Sequence, residues 1–123
     1  MLVVTRYQVA PDDEPSFRVD ATAALRVLTE RVGCLSATLG RAVDEPTLWT
    51  LTTTWLSVGA YRRALSNYDV KLVAVPLMYR AIDEPSAFEP VLDWSPADGI
   101  QEPAPIRAPD ADRAGPVRQA RRS

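Results

Sequence analysis

Apolar and polar residues alternate from Leu2 to Val9, which places Val3, Thr5, Tyr7 and Val9 on one face of a strand and Leu2, Val4, Arg6 and Gln8 on the other. Ala10 to Glu14 reads as a turn. The period then changes: Phe17, Ala21, Ala24, Leu25, Leu28 and Val32 form one helical stripe, with Pro15 in the first turn, acidic residues just before it and Gly33 as the stop. A second strand is expected from Cys34 to about Ala42, with Leu35, Ala37 and Leu39 opposed to Cys34, Ser36 and Thr38. Asp44-Glu45-Pro46 then turns the chain into a third strand, Thr47 to Trp55.

The stretch Leu48 to Leu65 changes period within itself. Its strand half carries a run of threonines between Trp49 and Trp55. Ser57 can then cap a helix that turns Val58, Ala60, Tyr61, Ala64 and Leu65 inward and leaves Arg62 and Arg63 outside. The pattern breaks at Asn67-Tyr68-Asp69. Asp69 is the expected cap of a further helical segment, Val70 to Ala81, with Val70, Val73, Ala74 and Leu77 inward and a kink at Pro76. After the turn at Asp83-Glu84-Pro85, Ala87 to Trp94 is the expected fourth strand, confined by Pro90 to an edge or a bulge.

The order β-α-β-β-α-β is the split βαβ arrangement, so the fold class is α+β and ferredoxin-like, with a four-stranded antiparallel sheet. Helices on one face leave the other bare, and covering it with a second copy predicts a homodimer. This domain is expected to occupy residues 1–94. From about Ser95 the chain is rich in Pro, Ala, Asp and Arg, so residues 95–123 are expected to be a disordered tail or a partner-clasping arm.

Composition narrows the chemistry. The 123 residues contain no histidine, which removes imidazole bases, Ser-His and Cys-His pairs, proximal-His haem ligation and the usual zinc sets. Cys34 stands alone, so neither an internal disulfide nor a cysteine-cluster metal site is expected, consistent with a reducing cytoplasm. No apolar run approaches the roughly 18 residues of a membrane span. The opening MLVVTRYQV alternates like a strand rather than a signal peptide. Net charge is only −2, so no global field recruits nucleic acid. The tail from Gly99 carries five arginines against Glu102, Asp110 and Asp112. The end VRQARRS reads as solubilising.

MLVVTRYQV, the amphipathic helix ending in Gly33-Cys34, LWTLTTTWLSVGAYRRAL and EPSAFEPV together resemble the antibiotic biosynthesis monooxygenase family from Met1 to about Trp94. The most specific part is the strand-ending Trp55 followed by Ser57, Ala60 and Tyr61. The resemblance implies a dimeric α+β barrel. It also implies a chemistry in which a polycyclic phenol, deprotonated to a phenolate, reacts with molecular oxygen without metal or flavin. Such a site needs an aromatic slot, a hydrogen-bond partner for the phenol and a cation. By resemblance Trp55 and Tyr61 take the catalytic positions. Arg6 and Arg80 are the candidate cations, and Trp49 and Tyr68 are further substrate-binding candidates. Haem-degrading relatives carry an asparagine where Arg6 stands and a histidine ligand, so haem degradation is not expected. Quinone-forming relatives place an asparagine where Leu51 stands, and the chain's single asparagine is Asn67.

Each candidate has a structural reading beside the functional one. Trp49 and Trp55 suit a core or a dimer interface, and Tyr61 and Tyr68 need only a backbone partner for their hydroxyls. Arg6 in mid-strand must find an anion or reach solvent, so a salt bridge competes with substrate binding. Cys34 suits a small buried strand position. The leading expectation is a cofactor-independent monooxygenase acting on a hydrophobic, polyphenol-type substrate. The alternatives are a non-catalytic homodimeric binding protein for a hydrophobic ligand or a protein partner, and an interaction module working through its Arg/Pro tail.

Overall fold

A computed structural model describes residues 1–103. β1 (Leu2–Gln8) leads through a 3-10 turn (Pro11–Asp13) into α1 (Glu14–Thr29). The hairpin β2 (Cys34–Arg41) and β3 (Leu48–Trp55) follows, and then α2 (Val58–Leu65). A π-helical segment, Val70–Ala74, runs into α3 (Val75–Met78), and β4 (Ala87–Phe88) returns to the sheet. The sheet is antiparallel in the order β2-β3-β1-β4, the arrangement expected from the split βαβ pattern.

The central pair fixes what each face carries. β1 and β3 pair with Val3 opposite Thr53, Thr5 opposite Leu51 and Tyr7 opposite Trp49. Side chains alternate along a strand, so all of these turn to one face, and all six are buried there. Phe17, Ala21, Ala24 and Leu28 of α1 close over them, together with Val58, Ala60, Tyr61 and Ala64 of α2 and Val70, Ala74 and Leu77 beyond. The outer face, formed by Leu2, Val4, Leu48, Thr50, Thr52 and Thr54, is only half-buried.

Local rules account for most boundaries. Ser57 caps α2 as expected, its Oγ accepting from the Ala60 N–H at 3.1 Å. Gly33 has φ +92°, a left-handed conformation, and a Cβ built on it would lie 2.5 Å from Ala60 Cβ. It lies beyond the end of α1, in the turn closed by Cys34 N–H to Arg31 O, and lets the start of β2 approach α2.

Several expectations are corrected. Helix α1 ends at Thr29, which leaves Val32 out of the stripe and 91% exposed. A bulge between Cys34 and Ser36 slips the alternation, so Cys34 packs against the core with Ala37 and Leu39 on its side, while Leu35 turns outward. The cap of the next helical stretch is Asn67, not Asp69. Helical backbone already includes Tyr68 and Asp69, so it is Asn67 Oδ1 that accepts from the Val70 N–H, at 3.1 Å. The expected kink at Pro76 takes the form of the wider π turn, closed by Val75 N–H to Val70 O, just before a proline with no N–H to donate. The fourth strand stops at Phe88, before Glu89-Pro90. The chain re-forms as a separate hairpin of β5 (Asp93–Ser95) and β6 (Gly99–Gln101). That hairpin straddles the expected boundary at residue 94, and most of the expected tail lies outside the described residues.

Gly33→Ala combines a left-handed backbone with a steric clash against α2. It is expected to lower stability by about 2–4 kcal/mol, read as a fall in the urea midpoint at unchanged slope.

Candidate active site

The inward aromatic residues of β1, β3, α1 and α2 belong to one buried core cluster, in which their rings touch in two groups. Tyr7 lies 5.3 Å from Phe17 between ring centroids, and Phe17 lies 5.5 Å edge-on from Trp49. Trp55 and Tyr61 meet at 5.5 Å across the strand-to-helix junction. Burial of these rings requires partners for their polar ends, and threonines two residues earlier on the same strand face supply them. Trp55 Nε1 donates to Thr53 Oγ1 at 2.8 Å, and Tyr7 Oη shares a 2.8 Å hydrogen bond with Thr5 Oγ1. Thr5 and Thr53 are the buried polar residues, and both are satisfied.

Tyr61 differs. Among the described residues no group pairs with its hydroxyl, and burial, reinforced by nearby Tyr7, pushes its pKa up to about 12. It is therefore a neutral hydrogen-bond donor throughout the neutral range. Tyr7 is also raised by burial, opposed by the Thr5 hydrogen bond and the positive field of Arg80.

The candidate cations are both engaged. Arg6 grips Glu84 with two parallel bonds, Nε to Oε2 at 2.7 Å and Nη2 to Oε1 at 2.9 Å. The Arg6 hydrogen bond draws the Glu84 carboxyl below its usual value, and Arg6 is raised in turn. Arg80 donates to Asp20 at 2.9 Å, with its guanidinium 5.7 Å from the Phe17 ring centroid. Trp49 is buried under Arg41, whose guanidinium sits 5.1 Å from its ring. Tyr68 is 73% exposed and stands apart from the cluster. The structure thus brings Trp55 and Tyr61 together, leaves Trp49 at the far end of the cluster and separates Tyr68.

An open pocket of about 400 Å³ adjoins the cluster, where β4 ends and leaves the β1 edge to a loop. Val4, Leu65, Val75, Met78 and Ile82 supply most of its apolar wall, and Asp83 and Glu84 supply its acidic side. The loop is tied to β1 by Ile82 N–H to Arg6 O at 2.8 Å and Val4 N–H to Ser86 O at 2.7 Å. Two features join pocket and cluster. Thr5 lines the pocket and bonds to Tyr7, and Leu65 lies one turn beyond Tyr61 on the same face of α2. None of the six candidates from the sequence lines this pocket, and its loop residues were missed. The available signal was Arg6, a mid-strand cation whose required anion is Glu84, 78 positions away. Among the described residues no three metal-ligating side chains cluster, and no helix is long and apolar enough to cross a membrane.

A one-sided antiparallel sheet, with a tryptophan and a tyrosine at the strand-to-helix junction, defines a ferredoxin-like α+β domain of the monooxygenase type. The chain belongs to the antibiotic biosynthesis monooxygenase family, whose model it matches over residues 1–73. No curated protein matches it in sequence. Its fold is similar to that of a variant of SnoaB, a cofactor-independent oxygenase from Streptomyces nogalater. The TM-score is 0.58 at 21% identity, covering 66% of this chain and 82% of that one. A conserved protein from Methanosarcina mazei gives 0.58 at 19%, covering 70% and 84%. Rv0793 from Mycobacterium tuberculosis gives 0.56 at 17%, covering 88% and 96%.

The raised pKa of Tyr61 sets a stability trend at alkaline pH. Between its ordinary value of 10 and about 12 the folded state keeps a proton that the unfolded chain releases, so stability falls as pH rises. Urea titrations should show a loss of about 1.4 kcal/mol per pH unit there, and Tyr61→Phe should flatten most of that slope.

Proposed function

We propose that the protein is a monooxygenase-like enzyme that oxidises a hydrophobic, polyphenol-type substrate with molecular oxygen, without a metal or organic cofactor. The observation that carries this reading is the mainly apolar pocket of about 400 Å³ walled on α2 by Leu65, one helical turn beyond Tyr61, a volume within the range of small-molecule sites. In the simplest balanced form, a ring methylene and dioxygen become a ring carbonyl and water. In this reading Tyr61 contributes a neutral hydroxyl to the developing oxyanion, and Trp55, fixed by Thr53, holds the tyrosine ring in place. The Arg6 and Arg80 charges reach the site only in company with Glu84 and Asp20.

The catalytic unit in this proposal is the sheet and helices within residues 1–94, and it works as a homodimer in the cytoplasm. The half-buried outer sheet face and exposed Leu35, Leu56 and Trp94 support association with a second copy. The engagement of both arginines favours one competing reading, a homodimer that binds a hydrophobic ligand without turning it over.

Oxygen uptake with a panel of anthrone-type phenols separates the two. Under the oxygenase reading, Tyr61→Phe should lower turnover roughly hundredfold, and Ile82→Trp, which fills the pocket, should abolish it while leaving the fold intact. Unchanged uptake in both variants would rule out the site. Ligand binding with no oxygen consumption would favour the binding protein.

A further inference from the structure

We infer that the pocket selects a neutral, hydroxyl-bearing aromatic molecule and excludes carboxylates, and that Glu84, held by Arg6, is the residue that reads the hydroxyl. This rests on the proposed pocket being the ligand site, but it does not require turnover.

The residues lining the pocket include two carboxylates, Asp83 and Glu84, and no arginine or lysine. Its other hydrogen-bonding side chains are the hydroxyls of Thr5, Tyr79 and Ser86, and that of Thr5 is already engaged by Tyr7. An anionic ligand would therefore meet negative charge with no cation on the wall to offset it. Arg6 does not supply that cation, because its fork is filled by Glu84 at 2.7 and 2.9 Å. The same two bonds orient the carboxylate. They use one acceptor direction on each oxygen and leave the others available. The Glu84 side chain is 30% exposed, so it is open to approach yet positioned. An oriented, acceptor-only group beside the apolar side chains of Val4, Leu65, Val75, Met78 and Ile82 favours a ligand that brings a donor, and a phenolic hydroxyl on an aromatic body meets both demands.

The loop geometry supports the assignment. Glu84 lies between Ile82 and Ser86, whose backbones are bonded to Arg6 and Val4 of β1. Backbone and side chain of Arg6 thus hold one loop from two directions. This fixes the acidic group relative to Val4 and Thr5, which line the same pocket.

Three probes of similar size test this at pH 7 by calorimetric titration of the full chain: 2-naphthol, 2-methoxynaphthalene and 2-naphthoate. Wild type should bind 2-naphthol about tenfold more tightly than the methoxy compound, which cannot donate, and should bind naphthoate most weakly. Glu84→Gln should shrink the first ratio to within about threefold. It should also strengthen naphthoate binding, because Arg6 is released. The inference is overturned if wild type binds naphthoate as well as naphthol, if it binds no naphthol, or if the naphthol preference survives Glu84→Gln. The wild-type ranking decides even if that variant fails to fold. Oxygen uptake by the same protein with anthrone-type phenols, which carry the ring methylene that these probes lack, is an independent readout. Discrimination without uptake would sink the oxygenase reading alone, and uptake without discrimination would sink this inference alone.

Discussion

The register between β1 and β3 is the constraint from which the rest of the structure follows. It sets Tyr7 against Trp49 and Thr5 against Leu51, and a slip of one residue would turn every one of these side chains to the opposite face. Because the register holds, a single face receives the large aromatic rings and the threonines that satisfy their polar atoms. The two central strands use the same device, a threonine two residues before an aromatic. Each threonine hydroxyl absorbs a hydrogen bond that would otherwise be missing in the core. The arrangement leaves Tyr61, which comes from α2 rather than the sheet, as the aromatic hydroxyl without such a companion.

That difference separates structure from candidate chemistry. Tyr7 and Trp55 are paired within their own strands, whereas the Tyr61 hydroxyl has no partner among the described residues. Cluster and pocket are distinct spaces: one is packed tightly and resists change, and the other is bounded by a short strand and a loop. In the proposed reading, reaction geometry rests on the packed elements, while the ligand meets the more exposed segment between Ala81 and Ser86.

The parts legible in the sequence were those governed by local periodicity. The alternation of Val3, Thr5, Tyr7 and Val9, the stripe through Phe17, Ala21, Ala24 and Leu28, and the Ser57 cap each follow from residues near one another in the chain. What escaped was set by longer-range fit. Leu35 points outward because a bulge slips the alternation, and Asn67 displaces Asp69 because the helix starts two residues earlier than its apolar pattern. Pro90 does more than place a strand at the edge: the strand ends before it. The partner of Arg6 was foreseeable in kind, an anion, but its position depends on how the loop after α3 crosses β1. Trp55 and Tyr61 were legible as neighbours because they share one junction. The pocket was not, because its walls come from four separate parts of the chain.

The brevity of β4 has a counterpart on the opposite side of the sheet, where the bulge at Leu35 interrupts β2. β4 offers only two residues to an incoming strand, and the bulge offsets β2 at its first residues, shortening its regular edge to residues 36–41. Edge-to-edge growth into long ribbons is discouraged at both margins. The broad threonine-rich surface between these margins is the face that the proposed dimer would cover, and a two-fold contact there closes on itself and does not propagate.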